Sequence, residues 1–445
     1  MTRSNPSRRR FLAGVGAVGA ATLAGCSGLP FGEESADGGT AVSLSANDVP
    51  AVEWPASPLP GTVPGSLLDA HEARARALLD DVPADPSLPN EAVAAEVAGD
   101  RERALRRLDR DPSDPWPVDA LDARRHRRED AAVVRGAYRA ATGDDDGARV
   151  ARRRQAVRED RAALAADLTY RAGSPAEAAL AYEPVESLLA ECERHVRPRA
   201  TYPRDPVAEP FRAGEAVGTV ERARAAAADA AGLREAFLDD RESPTPQWAS
   251  LAAAAEGLDG SVSRTRSAVR SGEGGPEGGD DGDLSGTVAR ELTAVIDLRV
   301  ESAVDDVRAA TDRGAYATAV VEAGTALAEL EASRAAAAGI REGRYREAPS
   351  ASSVRSASER ANEAVSEAID GGDPLTIRFV RPALELFGYT LDAVENGYGS
   401  AGRTQARLAY AALYARALPA AAEFVRERLD RATGADSGSS RSSPG

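Results

Sequence analysis

An all-α fold is predicted by three features of the 445-residue chain. Beyond Ser66, large apolar residues recur three and four positions apart, as on the buried stripe of a helix. No convincing alternation of apolar and polar residues marks a strand. Capping residues followed by proline recur as helix-start signals, at Ser174-Pro175, Thr245-Pro246 and Asp373-Pro374. One or two antiparallel helical bundles after a disordered tether are expected. Their core is built from small pieces, since the chain holds 3 Trp, 10 Tyr, 7 Phe and 1 Met. Alanine contacts bring backbones close but each buries little area, so many helices must share the load.

The first element is an arginine cluster, Ser7-Arg8-Arg9-Arg10, set directly before an apolar run from Phe11 to Gly25. That run is too short for a bilayer span, which needs about 20 apolar residues. A charged start, a short apolar middle and small residues at the end read as an export signal. The order Ser-Arg-Arg-x-Phe-Leu resembles the twin-arginine (Tat) signal. Leu23-Ala24-Gly25-Cys26 resembles the lipobox of lipoproteins. The resemblance covers only the first 26 residues. It implies that Arg8 and Arg9 are read by the translocase, that residues 1–25 are removed, and that Cys26 carries a lipid. A lipid chain contributes about 0.8 kcal/mol per buried CH₂ to holding a domain at a membrane.

Residues 26–65 are Gly, Ser, Pro and acid with scattered apolar residues, and read as a tether, with Trp54 able to pack back on the folded part. A first helical domain is expected over 66–270. Within it, Ser174-Pro175-Ala176-Glu177 opens a helix, and the segment opened by Thr245 carries a seam of Trp248, Leu251, Ala255, Leu258, Val262 and Val269. Residues 271–286, glycines and acids with one Pro, read as a linker or a long surface loop. A second helical domain is expected over 287–435. One of its helices places Tyr316, Val320, Ala323, Leu327 and Leu330 on one face, and its last runs through Leu408, Leu413, Tyr414, Phe424, Val425 and Leu429. Residues 436–445 read as a disordered tail. Pro184 and Pro382 sit at similar places in the two halves, which fits either duplicated, kinked bundles or coincidence in Ala-rich sequence.

The chain carries 71 acidic and 55 basic residues, and every basic one is arginine. Removing residues 1–25 takes away four arginines and no acid, which moves the net charge from −16 to about −20. Crowded carboxylates repel in dilute buffer but are screened in molar salt, where the Debye length is about 3 Å. With the signal, this balance resembles a haloarchaeal surface lipoprotein; a GC-rich genome also favours Arg and Ala. An acidic surface argues against nucleic acid as a partner. The runs Arg124-Arg125-His126-Arg127-Arg128 and Arg152-Arg153-Arg154 read as solvated helix faces.

No specific catalytic constellation, cofactor motif or metal motif appears. The three histidines, His71, His126 and His195, form no His-Glu-x-x-His, and there is no Cys-x-x-Cys, phosphate-binding loop or Gly-x-Ser-x-Gly elbow. Cys192 and His195 share a helix face, but an apolar stripe of Leu180, Val185, Leu188, Leu189 and Val196 makes Cys192 read as a small buried hydrophobe. With Cys26 lipidated, Cys192 has no partner within the chain for a disulfide. Asp144-Asp145-Asp146 and Asp280-Asp281-Gly282-Asp283 lack the spacing of a calcium loop and read as solvated acidic turns. The best candidate surface is the glycine-flanked loop Asn396–Gly402, with Tyr389, Asn396 and Tyr398 as its binding residues.

These features predict a lipid-anchored, extracellular-face membrane protein that is no enzyme and needs no cofactor. Its membrane contact is the lipid on Cys26, and an envelope protein is its expected partner. A solute- or ion-binding lipoprotein serving a transporter is the alternative, although such proteins usually alternate strands and helices. A hydrolase assembled from scattered carboxylates is a third reading that spacing leaves open.

Overall fold

The computed structural model describes residues 42–110, 115–144, 147–197, 201–271 and 284–439, the last six as backbone alone. Among these residues there are twelve α-helices and one pair of two-residue strands. The all-α expectation holds. The first helices are α1 (Gly65–Asp80), α2 (Glu91–Leu108), α3 (Pro117–Ala141) and α4 (Gly147–Ala166). Strand β1 (Arg171–Ala172) leads into α5 (Pro175–Val196), which is followed by α6 (Pro210–Asp239). Strand β2 (Thr245–Pro246) pairs antiparallel with β1. The remaining helices are α7 (Trp248–Arg270), α8 (Val288–Asp312), α9 (Tyr316–Arg341), α10 (Ala351–Asp370), α11 (Pro374–Glu395) and α12 (Ala401–Ser439).

Two of the three cap signals open helices as read. The Ser174 hydroxyl accepts from the Glu177 amide, and Glu177 reaches back to the Gly173 amide at 2.7 Å. The Asp373 carboxylate accepts from the Thr376 amide at 2.9 Å. The third signal is spent differently. Thr245-Pro246 forms β2, the Gln247 amide donates to the Tyr170 carbonyl, and the helix begins at Trp248.

The helices sort into two bundles. In the first, α3 lies against α6, α1 and α2 pack on α3 with α1 also touching α6, and α4 packs on α5 and α6. In the second, α9 and α12 are central and α7, α8, α10 and α11 surround them. Helix α7 therefore belongs to the second bundle, which corrects the expected division at 271–286. The border is the short stretch between α6 and α7, and the Gly/acid segment joins two helices of one bundle. Composition marks a connection, but only packing tells whether it crosses a domain border. The last helix also enters the stretch expected as tail, since α12 runs to Ser439.

The seam expected on α7 is buried at Leu251, Ala255, Leu258, Val262 and Val269, while Trp248 is half exposed at the helix start and meets Tyr316 edge to face. Helix α9 is buried nearly all round, and this requires small residues. A Cβ at Gly324 would collide with the Phe379 ring of α11, so glycine there lets two helices touch. Between α3 and α6 backbone meets backbone. Gly136 faces Gly214, and Gly218 abuts Val133 and the Glu129 carbonyl.

The two bundles meet at α5. Before Pro184, its residues Ala178, Ala179, Leu180 and Tyr182 join the core that contains α9 and α12. After it, Val185, Leu188, Leu189, Cys192 and Val196 join a core with Ala223, Ala226 and Leu233 of α6. Proline lacks the amide for a helical hydrogen bond, and Pro184 stands where the allegiance of the continuous α5 changes.

Of the stretch expected as a tether, residues 26–41 lie outside the described residues, and the rest is packed. From Val42 the chain lies on the helices as a strap. Val49 is fully buried and Asp48 pairs with Arg355 of α10 at 2.6 Å. Trp54 packs edge to face on Trp116, and Trp116 Nε1 donates to the Pro55 carbonyl at 2.9 Å. Farther along, Arg241 donates to the Pro60 carbonyl and Gly61 faces Phe237. The strap thus holds residues of both bundles. Proline-rich sequence without a period reads as disorder only until its few apolar side chains find a groove.

Candidate functional site

Two buried polar clusters occupy positions where helices meet. The first lies inside the N-terminal bundle. His71 of α1 and Asp229 of α6 are both almost fully buried, with Nε2 and Oδ1 2.7 Å apart. The other Asp229 oxygen accepts from Arg125 of α3 at 2.8 Å. Arg125 continues to Asp122 at 2.9 Å and to Glu191 of α5 at 3.4 Å. Glu191 also accepts from Arg222 of α6, which reaches Asp122 at 2.6 Å. Beside this chain, Arg128 binds Glu221 with two nitrogens at 2.9 and 2.7 Å, and its Nη1 lies 3.4 Å from His71 Nδ1.

Four helices are thereby tied together by charge. Burial works against ionising Glu221, but Arg128 and Arg74 overcome it and hold the carboxyl below its usual range. Burial likewise opposes the charge on Arg222, while Glu191 and Asp122 raise its pKa. This corrects the reading of Arg124–Arg128 as a solvated face. Arg125 and Arg128, three apart, turn inward, while His126 stays exposed. The guanidinium geometry suits the task, because five fixed donors can serve several carboxylates at once.

The second cluster lies where the bundles join. Glu186 of α5 is buried, and its carboxyl accepts from the Thr318 amide at 2.6 Å and the Ala317 amide at 3.2 Å. These are first-turn amides of α9, which lack partners within their own helix. The residue before α9 is Ala315, whose side chain cannot cap. An acid 131 positions earlier in the chain, on the other bundle, does so instead. The Tyr170 hydroxyl donates to the same carboxyl at 2.6 Å. Tyr170 has φ of 51°, a left-handed conformation that costs a non-glycine residue energy. Burial pushes Glu186 up to about 7, and the hydrogen bonds from Tyr170, Thr318 and Ala317 only partly oppose this. The Tyr170 hydroxyl is pushed upward by its own burial and then by Glu186.

One turn earlier, Glu183 takes Arg378 of α11 at 2.9 Å. Arg381 of α11 pairs with Asp119 at the start of α3 at 2.7 Å and lies over the Trp116 ring. Helices α5 and α11, each with an internal proline, therefore carry ion pairs across the joint.

The sequence-read candidates fall elsewhere. Arg8, Arg9 and Cys26 lie outside the described residues, as do Asp145, Asp146 and the acids of 280–283. Asn396 closes α11, its amide donating to the Asp392 carbonyl at 2.9 Å. Tyr389 is half buried with Arg407 over its ring at 4.5 Å, and Tyr398 is 69% exposed. The structure brings Asn396 and Tyr398 together at the α11–α12 turn and sets Tyr389 apart beneath an arginine. Cys192 is fully buried, and burial pushes its thiol up to about 11. Burial also lowers His195. Among the described residues no three His, Cys, Asp or Glu side chains are grouped to hold a metal ion.

Glu186 and Asp229 are not singled out by the sequence, because each is one acid on an otherwise ordinary helix. The available signals were indirect: an uncapped Ala315 before a long helix, and acids at apolar-face positions of α5 and α6.

Residues 66–243 match the family described as a domain of unknown function, DUF8262. Residues 248–427 match a second, described as a domain of unknown function, DUF8264. The border between these matches falls in the stretch from α6 to α7, where the packing changes bundle. No curated protein and no solved structure matches the chain.

Proposed function

We propose that this chain is a lipid-anchored protein of the outer cell surface with a non-enzymatic interaction or scaffolding role in a salt-adapted envelope. The observation that carries the address is the run from Ser7 to Cys26, where twin arginines, a short apolar stretch and Leu-Ala-Gly-Cys follow in order. The geometry supports holding rather than reacting. His71, Asp229, Glu191 and Glu186 are each engaged between helices and closed from solvent. Groups used in this way fix helices relative to one another. The exposed Tyr398 at the α11–α12 turn offers an aromatic contact to a partner. No helix among the described residues is long and apolar enough to cross a membrane, so the lipid on Cys26 is the proposed attachment.

The test compares wild-type chain with Cys26→Ser in its native membranes at high salt. Wild type is expected in the membrane fraction, and Cys26→Ser in the soluble fraction. Affinity recovery of wild type is expected to bring down one stoichiometric envelope protein. A Cys26→Ser chain that stays on the membrane overturns the anchor. Recovery without any protein partner overturns the scaffolding role and favours solute binding.

A further inference from the structure

The joint between the bundles is clasped by one carboxyl group in an unusual place. Glu186 of α5 caps the first turn of α9 from outside, accepting from the Ala317 and Thr318 amides and from Tyr170. Three donors converge on it. The phenol of Tyr316 lies at the same helix start, and Tyr182 packs on Tyr170 at 5.2 Å between centroids. On α5 itself Glu183 is neutralised by Arg378 of α11, and Glu322 of α9 is within the electrostatic reach of that same arginine. Among the described residues no arginine or histidine bonds Glu186; its partners are the Ala317 and Thr318 amides and the Tyr170 hydroxyl.

We propose that Glu186 is a proton-operated clasp, which tightens the joint on acidification and loosens it as the pH rises through neutrality. The neutral carboxyl keeps the contacts. Its oxygens still accept from the two amides, and its new O–H is shared with the Tyr170 oxygen. The charged carboxyl accepts all three bonds but is buried, with no ion-pair partner among the described residues. In a loosened joint it regains water.

The sign follows from linkage. Burial raises the carboxyl in the closed joint above its solvated value, so the closed joint binds the proton more tightly than the open one. Closure is therefore favoured fully below the solvated value and weakens until the closed-joint value is passed. The strap and the Glu183–Arg378 pair still hold the bundles, so the loosening is confined to the first turn of α9 and its contacts.

The experiment is hydrogen exchange of the α9 first turn in the full chain at fixed salt, corrected for the intrinsic effect of pH on amide exchange. Wild type is expected to open about tenfold more between pH 6 and pH 8. Glu186→Gln keeps an acceptor oxygen without a charge, and its opening is expected to be flat across that range. Tyr170→Phe removes a donor that favours the charged form, and is expected to move the transition to higher pH. A flat wild-type profile, or the wild-type slope persisting in Glu186→Gln, overturns the proposal. If the glutamine variant does not fold, Tyr170→Phe decides, and a midpoint left in place or lowered overturns it.

Discussion

Asp229→Ala is expected to cost the protein roughly 3–5 kcal/mol, the range for breaking a buried ion pair by removing one partner. The reason is what remains. Asp229 joins His71 at 2.7 Å and Arg125 at 2.8 Å, and all three are nearly closed from solvent. Its removal leaves a guanidinium in the bundle with Glu191, 3.4 Å away, as its buried acid. Asp229→Asn, which keeps the shape and some hydrogen bonding, is expected to cost less. Glu102→Ala, which removes an exposed partner of Arg106 on α2, is expected to change stability by about 0–1 kcal/mol. Denaturant unfolding of the three variants at one salt concentration checks the order. A loss below about 1 kcal/mol for Asp229→Ala would mean that the network fixes helix positions without contributing to stability.

Gly214→Ala is expected to destabilise by roughly 2–3 kcal/mol even though alanine is the better helix former by about 1 kcal/mol. The added methyl would sit 2.5 Å from the Val133 carbonyl oxygen and 3.0 Å from the Ala137 nitrogen. Both are backbone atoms of α3 and cannot rotate aside, so the two central helices of the N-terminal bundle must separate. The same change at Gly388 of α11 is expected to stabilise by up to about 1 kcal/mol, because nothing lies within 4 Å of the new methyl. Opposite signs for one chemical change separate close packing from helix propensity. Thermal unfolding of the two variants beside wild type reads both.

Much of the fold was legible because its signals are local. The caps at Ser174 and Asp373 lie within four residues of the amides they serve, and the stripe on α7 is a period along one helix. What escaped is long-range. Nothing near Ser271–Gly286 tells that α7 and α8 pack into the same bundle, so a glycine-rich connection passed for a domain border. Arg125 and Arg128 look like any exposed arginines until Asp229 and Glu221 arrive from α6, about a hundred residues on. The Pro184 and Pro382 echo was visible, but its meaning was not. The two helices that carry these prolines face each other through Glu183 and Arg378, and the halves that contain them match different families. The Glu186 clasp was hidden for the same reason, since its donors, Ala317 and Thr318, carry no polar pattern that points back to α5.

Exposed charge follows different rules from buried charge. The surface pairs on α2, such as Arg103 with Asp100 and Arg106 with Glu102, are open to solvent and screened by salt. The interior pairs are shielded from that screening. A protein with 71 acids and 55 arginines can therefore meet molar salt with its outer charges muted and its helix-to-helix pairs intact.

Placement at the membrane is tested most directly by the intact mass of the chain extracted from native membranes. The expected species starts at Cys26 and is heavier than the bare polypeptide by a lipid on that residue. A full-length chain that retains Met1 and is recovered from the soluble cytoplasm would contradict it.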